Sequence, residues 1–249
     1  MKTQLLRWMD PDRELRGAVE MLRNFFGYSW MRLKRWVTGV DRRILAEYLA
    51  KEHGVRRLQL GCGKNPRADW LNSDLFPGAA DVMLVDVRLP LVFADGSFDR
   101  IFTEHMIEHL SWEQGAAMLK ECFRIAKPGG VVRVATPNIH FLINLVAKPG
   151  DDLHQAYMKW SVDRHIPWAP GLDAVVVMNN FVRDWGHRFV YDEATLGEQL
   201  KLAGFSGVVR CTLNASDHDD LRDLENESRM PPGFLMLETL VMEATKPSV

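Results

Sequence analysis

The run from Leu58 to Gly63 constrains the fold of this chain more than any other stretch. Leu-Gln-Leu is typical of a short strand, and it stops abruptly at Gly61-Cys62-Gly63. Glycine reaches backbone angles that other residues avoid, and without a Cβ it lets a ligand approach the main-chain N–H groups. A strand that ends in Gly-x-Gly therefore indicates a sheet that binds a nucleoside or a phosphate at its edge.

Short strands follow this turn in an ordered series. The pattern predicts strands at 58–61, 70–75, 82–87, 99–103 and 131–136, a helix at 111–126, and later a helix at 192–203 with strands at 207–212 and 235–244. Strands that alternate with helices are typical of a parallel sheet, and the last two strands are predicted to be an antiparallel pair. Too few residues separate the first three strands for a crossover helix, so bare loops are expected there.

The remaining segments suggest how the chain is organised. Residues 1–53 are predicted to be a helical cap packed on the sheet, and 54–249 the ligand-binding domain, with a lid insertion at about 138–190. An insertion of that length is usually functional. Residues 25–36 interleave aromatic and cationic side chains, which favours a helix that covers the sheet and leaves contact with a membrane surface as an alternative.

Charge and cysteine usage exclude several classes of protein. The 249 residues contain 31 Lys and Arg against 33 Asp and Glu, so the net charge of −2 lacks the broad basic field of a nucleic-acid binder. Cys62, Cys122 and Cys211 form no Cys-x-x-Cys pair, which argues against a zinc site or a disulfide framework. A cytoplasmic location is expected, since no segment has the length and apolarity of a membrane span or a signal peptide.

A set of motifs gives the chain a more specific resemblance. They are Leu-Gly-Cys-Gly at 60–63, Asn-Ser-Asp at 72–74, Asp-Gly-Ser-Phe-Asp at 95–99, Glu-His-x-x-Glu-His-Leu at 104–110, Lys-Pro-Gly-Gly at 127–130 and Thr-Pro-Asn at 136–138. Together they resemble class I S-adenosylmethionine-dependent methyltransferases of the methyltransferase-11 type. The closest likeness is to enzymes associated with sugar and cell-surface polysaccharide biosynthesis.

The resemblance implies an α/β fold with a Rossmann-like, mostly parallel sheet and an antiparallel final strand. It also implies S-adenosyl-L-methionine as cofactor and S-adenosyl-L-homocysteine as product. The cofactor-binding residues that it implies are Gly61, Cys62 and Gly63 under the methionine part, Asp74 at the ribose, Asp86 and Val87 at the adenine, and Glu104 and His105 on the sulfonium side.

Methyl transfer from a sulfonium is an in-line displacement, so catalysis can come mainly from positioning and from the exclusion of water. An alcohol acceptor also needs a general base, for which histidine is the usual choice. His140 and His187 are the first candidates because both lie where the sheet joins the insertion, followed by His165 and Asp184. An amine acceptor requires positioning only.

Two patterns bear on metal binding, and neither predicts a site. His105 and His109 have the spacing of helix-borne metal ligands, but no third ligand stands nearby in the sequence. The acidic run from Asp217 to Asp223 has the composition of an Mg²⁺ site, but it also suits the start of a helix.

Asp99 is expected to be structural, linking the fourth strand to its neighbour.

The function predicted from the sequence is transfer of a methyl group to a hydroxyl of a small polar acceptor, such as a sugar or a glycoconjugate. The alternatives are an N-methyltransferase acting on a small amine and a non-catalytic S-adenosylmethionine-binding protein. An NAD-dependent oxidoreductase is disfavoured because Pro66 replaces the last glycine of Gly-x-Gly-x-x-Gly and Asp81 does not follow a predicted strand.

Overall fold

The computed structural model describes residues 26–147 and 152–248, and the chain divides into two compact units between Lys51 and Glu52. In the first unit, α1 includes residues 26–38, and α2 (Val40–Ala50) follows Gly39. Within the described ranges, no helix combines the length and the apolar composition needed to cross a membrane. The packing of this unit on the sheet stays a prediction, and its residues 1–25 lie outside the described part of the chain.

The second unit is built on a seven-stranded sheet in the order β3-β2-β1-β4-β5-β7-β6. The first five strands are parallel, and β7 runs antiparallel to both of its neighbours, β5 and β6. This confirms the predicted α/β class with an antiparallel final strand. The strands are β1 (Arg57–Leu60), β2 (Leu71–Asp74), β3 (Met83–Leu84), β4 (Phe98–Glu104), β5 (Ala126–Pro137), β6 (Ser206–Cys211) and β7 (Thr239–Thr245).

The connections between the first strands are loops, as expected from their short spacing. The helices of this unit are α3 (Trp112–Ile125), α4 (Ile139–Ala147), α5 (Asp152–His165), α6 (Ala174–Arg183), α7 (Glu193–Ala203) and α8 (Phe234–Glu238). Helices α4, α5 and α6 occupy the predicted insertion after β5, and their apolar side chains form one buried cluster with Phe234 of α8. The structure thus gives this insertion a packed interior.

The predicted strand at 235–244 begins too early. Residues Phe234–Glu238 form the short helix α8, and β7 starts only at Thr239. Gly233, with φ at +85°, turns the chain into the helix, where Phe234 and Leu235 are buried together with Glu238. An apolar run of this length suits a buried helix as well as a strand, so local pattern does not separate them.

The join between β4 and β5 explains two of the motifs. Asp99 accepts hydrogen bonds from the Arg56 backbone N–H at 2.8 Å and from the Lys127 ammonium at 2.6 Å, which confirms its predicted structural role. Lys127–Gly130, which precede the predicted strand at 131–136, lie inside β5, where the pairing register with β4 shifts. Gly129, with φ at +77°, accommodates this irregularity.

A buried ion cluster holds the segment between β6 and β7 against the sheet. Arg133 on β5 is fully buried, and its guanidinium lies 2.7 Å from Glu225 and 2.5 Å from Glu243. Removing one partner of such a cluster leaves a buried charge uncompensated, which is strongly destabilising. This anchor fixes the segment that brings Arg229 and Glu238 to the site described next.

Candidate active site

The glycine turn after β1 has the geometry that the sequence predicted. Gly61 and Gly63 have φ angles of +70° and +54°, in the left-handed region that disfavours residues with a Cβ. A Cβ on Gly61 would lie only 2.6 Å from Cγ of Met106, so this position also has no room for a side chain. Asp74 holds the turn, because its Oδ2 accepts the Gly63 N–H at 2.8 Å while its Oδ1 accepts the Phe76 N–H at 2.8 Å.

This turn borders a cavity of about 480 Å³ at the carboxyl ends of the parallel strands, which we name the glycine cavity. Its volume is in the usual range of small-molecule sites, and its position is where open α/β sheets bind ligands. Its lining residues are Gly61, Gly63, Asp74, Leu75, Phe76, Val85, Asp86, Val87, Arg88, His105, Met106, His109 and Leu110.

Six of the eight predicted cofactor residues therefore meet at one cavity. Asp86 lies there in a two-bond ion pair with the Arg88 guanidinium, with N···O distances of 2.8 and 2.7 Å. Cys62 is buried and is not among the lining residues, and burial raises the pKa of its thiol to about 11. Glu104 is also absent from the lining, since its carboxylate accepts the Asn226 N–H at 2.9 Å and faces Arg229.

A second cavity, of about 300 Å³, lies among the helices that follow β5 and is named the aromatic cavity here. Tyr157, Trp160, Phe181 and Trp185 contribute its aromatic rings, and Arg164 and Arg229 contribute cationic groups. The other lining residues are His105, Glu108, His109, Pro137, His165, His187, Met230 and Glu238.

The two cavities share a wall, because His105 and His109 line both of them. His105 follows β4 directly and has a φ of +47°, a conformation that a residue with a Cβ adopts only when the surroundings hold it there. Its Nε2 lies 3.2 Å from the Thr239 hydroxyl. Burial, together with the charge of Arg229, lowers the pKa of His105 well below 6.5, so this ring is neutral at pH 7.

Backbone pairing brings His187 to this wall. The backbone N–H groups of Arg188 and Phe189 donate to the Glu108 carbonyl at 2.7 and 3.2 Å, which draws the chain after α6 against residues 107–109. The rings of His187 and His109 then lie 5.1 Å apart between centroids. Nδ1 of His187 is 2.7 Å from the Phe181 carbonyl, which can only accept, so in the neutral ring the proton is on Nδ1 and the lone pair on Nε2.

Glu108 completes the group with a buried carboxyl. Its Oε2 accepts the Thr136 hydroxyl at 3.1 Å, whereas its Oε1 is buried without a hydrogen-bond partner. Burial raises the pKa of Glu108 to about 8. One ligand-type atom from each of Glu108, His109 and His187 lies within 4.8 Å of the other two, and no other group of three such residues was found in the described ranges.

Of the other predicted catalytic residues, His165, His140 and Asp184, only His165 lines the aromatic cavity. His165 lines the aromatic cavity, with its ring 5.2 Å from Trp160 and 5.1 Å from Trp185 between centroids. His140 lies elsewhere, in a surface cavity beside Asp192, and its side chain is 61% exposed. Asp184 ends α6 and lines none of these cavities.

Three residues of the aromatic cavity were not predicted from the sequence: Glu108, Arg229 and Glu238. Glu108 had a local signal, because it is a charged residue between the apolar Ile107 and the functional candidate His109. Arg229 and Glu238 had no such local signal, because they reach the aromatic cavity only through the folding of the anchored segment before β7. Glu238 accepts a 2.5 Å hydrogen bond from the Tyr157 hydroxyl, and burial raises its pKa to about 7.

Comparison with known families gives a match over the middle of the sheet. Residues 80–134 match the family model described as "Methyltransferase domain". A protein of Mycolicibacterium smegmatis named "Probable S-adenosylmethionine-dependent methyltransferase" is 34% identical over 112 residues, which are 38% of this chain. The matched part covers only 41% of that relative's length.

Several solved structures are similar at low identity. A SAM-dependent methyltransferase from Archaeoglobus fulgidus has a TM-score of 0.44 and 18% identity, and the match covers 83% of this chain and 93% of that one. Phosphoethanolamine N-methyltransferase 2 from Haemonchus contortus, in complex with S-adenosyl-L-methionine, has a TM-score of 0.43 and 14% identity, covering 83% and 52%. The fold assignment rests on the strand order, and the methyltransferase-domain prediction is confirmed over residues 80–134.

Proposed function

We propose that this protein binds S-adenosylmethionine in the glycine cavity and transfers its methyl group to a small acceptor held in the aromatic cavity. The observation that carries the proposal is the shared wall, His105 and His109, between the two cavities. Because His105 and His109 border both cavities, the cavities adjoin, and in the proposed complex the donor and the acceptor meet in line between these side chains, which is the geometry that methyl transfer needs. The methyltransferase-domain match includes both histidines.

In the proposed complex, the backbone at Gly61 and Gly63 faces the amino-acid tail of the cofactor. Asp74 receives the ribose hydroxyls, and Asp86 with the Val87 backbone faces the adenine. All five line the glycine cavity. The neutral His105 ring adds no positive charge beside the cationic sulfur, which favours binding of the sulfonium on this side.

The acceptor is proposed to be a small polar molecule with a reactive hydroxyl, such as a sugar or a glycoconjugate. The indole rings of Trp160 and Trp185 supply flat apolar surface, while Arg164 and Arg229 favour an acceptor that carries negative charge. Those two cations disfavour the alternative of a protonated amine as acceptor. His187 is the predicted base with the best orientation, because Nδ1 is held by Phe181 and Nε2 has the lone pair.

Two measurements test this proposal. Calorimetric titration with S-adenosylhomocysteine should show binding at one site, and Asp74→Ala should weaken it. Radiolabelled S-adenosylmethionine, incubated with a panel of neutral and acidic sugars and small amines, should label a hydroxyl-bearing acceptor. Binding without transfer to any acceptor would favour the non-catalytic alternative, labelling of amines alone would favour N-methylation, and no binding would refute the proposal.

A further inference from the structure

Three ligand-type side chains meet in the aromatic cavity beside the shared wall, and in two of them the protein leaves one atom without a hydrogen bond. In Glu108, Oε2 accepts the Thr136 hydroxyl while Oε1 is buried without a hydrogen-bond partner, 3.6 Å from Nδ1 of His105. In His187, Nδ1 donates to the Phe181 carbonyl and Nε2 keeps its lone pair. His109 is held by hydrogen bonds to the backbone of Trp185 and Gly186.

This pattern is that of a metal site with its outer contacts in place. Histidines that bind a metal almost always use the other ring nitrogen on a carbonyl or carboxylate, and ligating carboxylates are themselves hydrogen-bonded. A buried carboxyl oxygen without a hydrogen-bond partner costs free energy, and a cation that displaces the carboxyl proton and binds this oxygen removes that cost. We infer that Glu108, His109 and His187 form a binding site for one divalent transition-metal cation.

The geometry fits a site with an open position. One ligand-type atom from each of the three residues lies within 4.8 Å of the other two, whereas atoms bound at about 2.1 Å from a tetrahedral ion are about 3.4 Å apart. The three side chains would close this difference on binding an ion. Two imidazoles and one carboxylate suit Zn²⁺, Mn²⁺, Fe²⁺ or Co²⁺ better than Mg²⁺, and three protein ligands leave coordination free for a substrate oxygen.

The position of the three residues gives the cation a role, which rests on the proposed function. All three line the aromatic cavity, and His109 also lines the glycine cavity, so a bound acceptor oxygen would be next to the methyl donor. With Nε2 of His187 bound to the cation, this histidine no longer acts as the base itself: the acceptor hydroxyl, ionised on the cation, releases its proton to water. The oxygen then forms the O–CH₃ bond as the S–CH₃ bond breaks, sulfur keeps the electron pair as a neutral thioether, and the cation keeps its oxidation state.

The test measures metal binding by itself. After treatment with EDTA and removal of the chelator, the full chain is titrated calorimetrically with Zn²⁺ and, separately, with Co²⁺ followed by visible absorption. One site per chain is expected. Glu108→Gln, His109→Gln and His187→Gln should each weaken binding by at least tenfold, about 1.4 kcal/mol. The matched control is His165→Gln, which alters a histidine of the same cavity outside the cluster and should bind as the wild type does.

Binding of S-adenosylhomocysteine, measured on each variant, separates the possible failures. His187 lies outside the glycine cavity, so His187→Gln should retain this binding. Retained binding would show that the variant is folded. Zn²⁺ binding that is absent, or equally tight in the three cluster variants and the control, overturns the metal site while retained S-adenosylhomocysteine binding leaves the proposed function standing. If the wild type binds Zn²⁺ at the cluster but does not bind S-adenosylhomocysteine, the proposed function is refuted and the metal site is supported.

Discussion

Alanine at Gly61 and at Gly63 tests the glycine turn, because the two positions share a backbone conformation but differ in space. Both φ angles are positive, so each substitution costs about 1–2 kcal/mol for the left-handed backbone. At Gly61 the new methyl also lies 2.6 Å from Cγ and 3.0 Å from Cβ of Met106. Overpacking of this kind costs about 1–3 kcal/mol, so we expect Gly61→Ala to be the more destabilising by about that amount.

Urea denaturation followed by circular dichroism measures the difference. Gly63→Ala is the matched control, because its added methyl meets no protein atom within 4 Å. A double-mutant cycle with Met106→Ala isolates the contact, since alanine removes Cγ at 2.6 Å and keeps only Cβ at 3.0 Å, so most of the extra cost at Gly61 should disappear. Equal loss of stability in the two glycine variants would refute the reasoning, because it would mean that Met106 moves aside at no cost.

The same pair of variants separates stability from binding. The methyl of Gly63→Ala enters open space at the glycine cavity, which Gly63 lines. We therefore expect at least tenfold weaker binding of S-adenosylhomocysteine, about 1.4 kcal/mol, with a small change in stability. Unchanged affinity in Gly63→Ala would show that the cofactor does not approach this turn.

Three further predictions concern single side chains. Asp74→Asn should raise the Kd for S-adenosylhomocysteine in calorimetry while the protein stays folded, because the amide oxygen can still accept the Gly63 N–H although the bond from the Phe76 N–H is lost; an unchanged Kd would contradict the ribose assignment. His187→Gln should lower kcat by about 10²-fold or more while His140→Gln, in a separate cavity, should not, and equal kcat losses would refute that division. Burial raises the pKa of folded Glu238 from 4.5 to about 7, so its contribution to the free energy of unfolding is full below pH 4.5 and falls by about 3 kcal/mol as the pH rises to 7. In urea denaturation, the free energy of unfolding of Glu238→Gln should therefore depend less on pH than that of the wild type. An identical pH dependence would contradict the raised pKa.

The agreement between sequence and structure is best where local chemistry is sufficient. The Gly61 turn needs a positive φ and no Cβ, and only glycine meets both conditions without strain, so the position is recognisable from the sequence. Asp99 was recognisable as structural from its motif, and its bonds to Arg56 and Lys127 confirm this. The early start predicted for the last strand failed because Phe234–Glu238 is a short apolar run that suits a helix or a strand equally.

The residues of the candidate site likewise fall into those that local sequence predicts and those that it does not. The sequence by itself determined the parallel sheet, the turn at Gly61 and the side chains after β2 and β4, because strand ends and their neighbours in sequence arrive together in a sheet. Only the tertiary structure decided that His187 joins Glu108 and His109 while His140 does not. That outcome depends on backbone pairing between Arg188 and Glu108, residues separated by many positions in the chain, and no local pattern encodes such a contact.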